Sequence, residues 1–222
     1  MNLTETLADL RWRGLLQDLT DEPNFIRLPA GTPFYLGIDP TAPSLQVGNL
    51  VVLMVSMRLS LAGLSPILLF GGATGSIGDP SGKSSERQLL ELSDVADNVQ
   101  LQIAQVETLW KRVGARELPR FVNNLDWTKS CSILDFLRDV GKHFPLTYML
   151  GKETVKTRVS GEGISYTEFS YMLLQAFDYL HLLRTFGCKL QIGGSDQWGN
   201  ITAGLELIRR TGSGEAFALS VP

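Results

Sequence analysis

Three short, mostly apolar runs, each emptying into a loop of small and polar residues, constrain this chain most. Phe34 to Ile38 leads into Asp39-Pro40-Thr41, Pro66 to Phe70 into Gly71-Gly72-Ala73-Thr74-Gly75, and Lys189 to Ile192 into Gly193-Gly194-Ser195-Asp196-Gln197. All three runs read as strands, and the continuous apolar run from Pro66 to Phe70 is consistent with a parallel strand covered on both faces. Helical stretches separate them, which predicts βα units and a mostly parallel sheet in an α/β fold. Such sheets bind ligands at the carboxyl ends of their strands, so the three loops point to one shared edge. The first, running from Gly37 to Asn49, joins a strand to a helix N-terminus; taken alone it reads as an ordinary βα connection, and beside the other two loops as a place where an anion could be held.

The segments between the runs carry helical periodicity. Leu3, Leu7, Leu10 and Leu15 predict a helix within residues 1–20, and Gly48 to Ala62, apolar nearly all round, predicts a buried one with Gly63 just past its end. Val99, Ile103, Val106, Trp110 and Val113 mark an amphipathic helix, and Ile133 to Val140 another, closed by Gly141. Ser165-x-x-Glu168 is a capping-box pattern opening a helix from Tyr166 to about Leu183. Ile201, Leu205 and Ile208 mark a last helix, while Arg120 to Asn123 and Phe217 to Val221 add strands. Residues 125–188 show no clear strand, and a helical insertion between two halves of the sheet is expected there.

Composition narrows the partners. The chain has 222 residues, 44% hydrophobic and 19% charged, with a net charge of −3. One large domain over 1–222 is expected, without a dedicated basic nucleic-acid module, though an RNA substrate is not excluded. The apolar run Leu50 to Met57 stops at Arg58, far short of a membrane span. Cys131 and Cys188 lack metal-ligand spacing, and the first residues lack a signal-peptide core, so a cytoplasmic location is expected. No metal cluster is expected, and His143 and His181 read as structural.

Two patterns carry candidate chemistry. The loop from Gly71 to Lys83 is not a nucleotide-binding P-loop, because only three residues separate Gly78 from Gly82-Lys83-Ser84 where that motif needs four. It remains a strand-end loop with two readings: an ordinary solvated loop, or one in which Asp79 faces a cation or amine while Lys83 and Arg87 close over phosphates. The second pattern is Tyr171, Gln175 and Asp178 at i, i+4 and i+7, within about 60° of one another on one helix face. A phenol, an amide and a carboxylate in one stripe of an apolar helix are costly in a core unless paired, so they are candidates for lining a polar-ligand site.

With these motifs in place, the chain resembles the bacterial tyrosyl-tRNA synthetases over nearly its whole length. The resemblance lies in Gly37-Ile38-Asp39-Pro40-Thr41-Ala42 through Val47-Gly48-Asn49, in Gly71-Gly72-Ala73-Thr74-Gly75 through Gly78-Asp79-Pro80-Ser81-Gly82-Lys83, and in Phe169 to Asp178 and Gln191 to Asn200. It implies a class I catalytic domain with a Rossmann-like parallel sheet, a helical insertion, and a homodimer built mainly through that insertion. It further implies L-tyrosine, ATP with Mg²⁺ and tRNA(Tyr) as partners, with no membrane and no tightly bound cofactor. By resemblance, Tyr35 and Asp178 would meet the substrate phenol, and Asp79, Tyr171 and Gln175 its ammonium, with Thr74, Asn124 and Gln191 in support. Gly37, Asp39, Gly48, Asn49, Gly194, Asp196 and Gln197 would take the adenylate, Thr41 and Gln46 the transferring phosphates, and Lys83 and Arg87 the pyrophosphate.

Two departures from the family pattern stand out. Gln46 occupies the first position of a signature that normally opens on His, and Asn49 its last. A Gln amide still donates to phosphate oxygen, so altered rather than abolished activity is expected. The sequence also ends before the family's lysine-rich second signature loop and its anticodon-binding modules, so the 222 residues are expected to be the N-terminal portion of a longer enzyme. The rival expectations are a non-catalytic paralogue or fragment binding tyrosine or RNA, and the sister enzyme for tryptophan, against which Tyr35 and Asp178 argue.

Overall fold

The computed structural model describes residues 2–79, 90–114, 117–161 and 163–222. The chain opens with α1 (Leu3–Trp12), β1 (Asp18–Leu19) and α2 (Glu22–Phe25), then β2 (Pro33–Ile38), α3 (Val47–Leu61) and β3 (Ser65–Phe70). The long α4 (Leu92–Val113) and β4 (Arg120–Asn123) follow. Four short helices come next: α5 (Leu125–Thr128), α6 (Ile133–Asp139), α7 (Leu146–Leu150) and α8 (Glu153–Ser160). The chain then runs through α9 (Tyr166–Phe186), β5 (Leu190–Gly194), α10 (Trp198–Arg210) and β6 (Phe217–Val221).

The strands form one sheet in the order β1-β6-β5-β2-β3-β4, parallel throughout except for the antiparallel β1–β6 edge pair. The chain walks outward from β2 through β3 to β4, then returns to the other side of β2 with β5 and β6. The order therefore reverses between β2 and β5, at the point where open α/β sheets leave a crevice beyond their strand ends. This is the expected Rossmann-like arrangement, with helices α5 to α9 inserted between β4 and β5.

Strand periodicity decides which side chains face which helices. Phe34, Leu36 and Ile38 of β2 join Leu68, Phe70, Leu190 and Ile192 in a core beneath α1, α3 and α4. The alternate residue Tyr35 goes to the opposite face with Ile67 and Leu69, against α9 and α10. Register sets Tyr35 opposite Gln191 of β5 on that second face. Gly71, just past β3, is required by close approach, because a Cβ there would collide with the side chains of Asp39 and Thr74.

Several local expectations are corrected. The first helix ends at Trp12, and Asp18–Leu19 instead pairs with Ser220 and Leu219, a two-residue edge too short for sequence periodicity to register. Helix α3 is buried on one side only; Val47, Leu50, Met54 and Leu61 are exposed, so an all-apolar sequence marks a partly open surface here. The helix at Ile133 ends before Val140, and Gly141 starts a 3₁₀ turn rather than closing it. Ser165 does cap α9 by accepting from the Glu168 N–H at 3.2 Å. The Glu168 carboxylate, however, does not return to the cap.

That carboxylate instead meets the Arg158 guanidinium of α8 through two hydrogen bonds of 2.9 Å, with both side chains buried. The pair pins α8 to the start of α9. Losing one charge from a buried ion pair strands the other in low dielectric. Glu168→Gln is therefore expected to lower unfolding free energy by about 3 kcal/mol in urea titration, whereas Arg138→Gln, at an exposed pair with Asp135 and Asp139, changes it little.

Candidate active site

The carboxyl ends of β2, β3 and β5 open onto a cavity of about 450 Å³. Every candidate residue among the described ones lines it. Thr41, Gln46, Gly48 and Asn49 come from the β2–α3 connection, Thr74 and Asp79 from the loop after β3, and Asn124 from the end of β4. Tyr171, Gln175 and Asp178 descend along α9, spanning about 10 Å at 1.5 Å rise per residue. Tyr35, Gly37 and Asp39 come from β2 and its end, and Gln191, Gly194, Asp196 and Gln197 from β5 and its loop. Lys83 and Arg87, with the stretch Pro80 to Lys83 of the glycine-rich loop, lie outside the described residues.

Several of these polar side chains form a hydrogen-bonded chain that is buried in part. Tyr171 Oη donates to Asp39 Oδ2 at 2.7 Å, and Thr74 Oγ1 donates to Asp39 Oδ1 at 2.7 Å. Asn124 Nδ2 donates to Thr74 Oγ1 at 3.0 Å and to Asp178 Oδ2 at 2.9 Å, while Asn124 Oδ1 accepts from the Ala73 N–H at 2.8 Å. Trp127 Nε1 completes it, donating to Asp178 Oδ1 at 2.8 Å. Asp79 accepts from Gln197 Nε2 at 2.7 Å and from Asn200 Nδ2 at 3.5 Å. Asp39 and Tyr171, expected to meet different parts of a ligand, are thus bonded to each other.

Four side-chain atoms on residues lining this cavity are buried and without a hydrogen-bond partner: Tyr35 Oη, Gln102 Oε1, Gln175 Oε1 and Gln191 Oε1. Buried orphans are rare and costly, and four on the lining of one cavity make it a candidate site for a polar ligand. Burial pushes the Asp178 carboxyl up to about 7; the Asn124 and Trp127 donors pull against that rise, and Asp39 adds to it. Burial first, then the Asp178 charge, raises the Tyr35 phenol well above its ordinary value, and burial with the Asp39 carboxylate does the same to Tyr171. Both phenols keep their protons.

Sequence reasoning did not single out Trp127, Gln102 or Asn200. Trp127 lies three residues after Asn124 and so shares its face of the short α5 turn, a spacing signal that was available. Its indole stacks on His181 at 4.3 Å between centroids, which gives that histidine a packing role behind Asp178. Gln102 of α4 reaches the cavity from 60 residues away in sequence, which no local pattern encodes.

The folded Asp178 carboxyl holds its proton more tightly than an unfolded aspartate near 3.8. It therefore contributes stability below about pH 4 that declines as pH rises and is gone above about pH 7. Urea midpoints taken from pH 4 to pH 8 are expected to fall more in the wild type than in Asp178→Asn.

The chain is similar to known proteins in both sequence and fold. Residues 31–222 fit the family model for tRNA synthetases class I (W and Y). The chain is 50% identical to the tyrosine–tRNA ligase of Bacteroides thetaiotaomicron and 51% identical to that of Rhodopirellula baltica, in each case over 100% of this chain. It covers 52% and 51% of those proteins, so it spans about half the length of the curated relatives it matches. Among solved structures, a C-terminally truncated mitochondrial tyrosyl-tRNA synthetase from Aspergillus nidulans superposes with a TM-score of 0.86 at 30% identity, covering 98% of this chain and 68% of that one. With its sheet order, strand-end cavity and matching residues 31–222, the chain belongs to the class I tRNA synthetase family of the tryptophan and tyrosine enzymes, on its tyrosyl side.

Proposed function

We propose that this chain binds L-tyrosine and ATP and forms tyrosyl-adenylate, the first step in charging tRNA(Tyr). The observation that carries the reading is the cavity floor. There the Asp178 carboxylate, tied by Asn124 and Trp127, lies near a fully buried Tyr35 whose Oη has no partner. A substrate phenol fits that vacancy in hydrogen bonding, donating to Asp178 and accepting from Tyr35. An indole offers no acceptor to Tyr35, which favours tyrosine over tryptophan. The substrate ammonium would meet Asp79, Tyr171 and Gln175, with Thr74, Asn124 and Gln191 holding the floor.

The tyrosine carboxylate then attacks the α-phosphate of ATP in line, forming a carboxyl–phosphate anhydride and releasing pyrophosphate. No acid or base is needed; the work is positioning and charge stabilisation. Thr41 and Gln46 would steady the phosphates, and Gly37, Asp39, Gly48, Asn49, Gly194, Asp196 and Gln197 the adenylate, with Lys83 and Arg87 on the pyrophosphate. Mg²⁺ is part of the proposal only as the ion carried with the ATP phosphates. In the second step the tyrosyl group passes to the terminal ribose of tRNA(Tyr). A cytoplasmic location belongs to the same proposal; no helix among the described residues is long and apolar enough to cross a membrane.

A homodimer through the 125–188 insertion is part of the same reading. Ile133, Leu134 and Leu137 on α6 and Leu146 and Leu150 on α7 are large, apolar and exposed, a patch that association would cover. Ile133→Glu with Leu134→Glu is expected to convert a dimer to a monomer in light scattering; an unchanged mass would place the interface elsewhere.

Isotopic exchange between pyrophosphate and ATP, dependent on tyrosine, tests catalysis in the full-length protein. Gln46→Ala is expected to slow exchange, by about fivefold for each kcal/mol its contact supplies. No exchange by the wild type would favour the non-catalytic binding reading that Gln46 keeps open. In calorimetry, Asp178→Asn is expected to weaken tyrosine binding far more than phenylalanine binding, because a site built around a hydroxyl leaves groups unpaired without it. Equal losses would remove Asp178 from phenol recognition.

A further inference from the structure

We propose that three amide side chains of α4, Asn98, Gln102 and Gln105, are positioning residues that splint the loop Pro40–Leu45 and so set where Thr41 and Gln46 meet the ATP phosphates. This rests on the adenylation reading above and deepens it.

The loop has little structure of its own. It turns once, with the Thr41 N–H donating to the Asp39 carbonyl at 2.9 Å, before the chain enters α3 at Gln46. Pro40 and Pro43 bring no N–H at all. Three of its backbone groups instead reach across to α4. Asn98 Nδ2 donates to the Pro40 carbonyl at 3.0 Å, and Gln102 Nε2 donates to the Ala42 carbonyl at 2.8 Å. At the far end the Leu45 N–H donates to Gln105 Oε1 at 3.0 Å. The three amides fall at i, i+4 and i+7, within about 60° on one helix face, in the same order as the loop atoms they hold.

The central amide is unusual for its place. Gln102 is only 2% exposed and sits in the buried stripe of α4 with Val95, Val99, Val106 and Trp110. Its Oε1 is buried without a hydrogen-bond partner while its Nε2 holds Ala42. An apolar residue would fill such a seam without leaving an unpaired acceptor. What Gln102 supplies that an apolar residue cannot is a donor to the loop. Gln102 and Thr41 line the same cavity, so the tie lies beside the atoms it would position.

The arrangement has a polarity that a generic packing role lacks. Two loop carbonyls require donors from Asn98 and Gln102, and one N–H requires an acceptor from Gln105. Asn98→Asp and Gln102→Glu keep size but set a carboxylate oxygen against a carbonyl. Gln105→Glu keeps its acceptor, whereas Gln105→Leu removes it. None of these side chains is assigned a contact with tyrosine, whose proposed floor is built by α9 and by the sheet strands and strand ends that carry Tyr35, Thr74, Asn124 and Gln191.

The test is tyrosine-dependent pyrophosphate–ATP exchange in the full-length protein, with KM for ATP and for tyrosine measured separately. Asn98→Asp, Gln102→Glu and Gln105→Leu are each expected to raise KM for ATP or lower kcat by about tenfold or more, with KM for tyrosine unchanged. Gln105→Glu is expected to restore most of what Gln105→Leu loses. Wild-type ATP kinetics in all three damaging variants would overturn the splint, as would parallel losses for ATP and tyrosine or a Gln105→Glu as impaired as Gln105→Leu. If Gln102→Glu does not fold, Asn98→Asp at its half-buried position and the Gln105 pair decide the question. An inactive wild type that binds no ATP would overturn the adenylation reading and the splint with it; ATP kinetics lost only in the variants support the splint.

Discussion

The hydrogen-bond chain from Tyr171 through Asp39, Thr74 and Asn124 to Asp178 holds the rest of the site in place. It joins the ends of β2, β3 and β4 to two turns of α9, so strand ends and helix cannot shift independently. In a low-dielectric interior such a chain is costly if any link is missing, because each donor or acceptor depends on its neighbour. Gly71 shows how tightly it is fitted, since even a methyl group there would enter the Asp39–Thr74 contact. Burial also lifts the Asp178 carboxyl to about 7, because its charge is costly there even with the Asn124 and Trp127 donors beside it.

The two ends of the cavity are supported differently. The floor is held by side chains whose partners lie within the core, with Trp127 and His181 stacked behind Asp178. The end near Thr41 and Gln46 is a loop with two prolines, tied down from outside by α4. For the proposed reaction, which must recognise one substrate strictly and align another, this division is physically apt. Discrimination needs buried groups that cannot be satisfied by the wrong ligand, whereas phosphate alignment needs a loop set by directional ties.

Much of the fold was legible because its signals are local. The strand at Phe34–Ile38 and the helix at Tyr166 follow from short-range periodicity and a Ser165 cap, and the structure places both near the expected bounds. Where the reading failed, a distant partner had won. Glu168 looks like a capping residue until Arg158 of α8 takes its carboxylate. Helix α3 reads as fully buried because hydrophobicity alone cannot tell a covered face from one left open at Val47, Met54 and Leu61. The strand at Asp18–Leu19 exists only because β6 lies beside it.

The sequence by itself determined the α/β class, the strand-end loops, and the stripe of Tyr171, Gln175 and Asp178, since all three depend on spacings of a few residues. Tertiary structure alone decided that Asp39 would bond Tyr171, that Trp127 would hold Asp178, and that amides of α4 would reach a loop some 60 residues earlier. Those pairings depend on how the sheet twists and which strands become neighbours, and a hydrogen bond is specified by position in space rather than along the chain. The chemistry of the cavity was written in residue types; its connections were made only when the chain closed on itself.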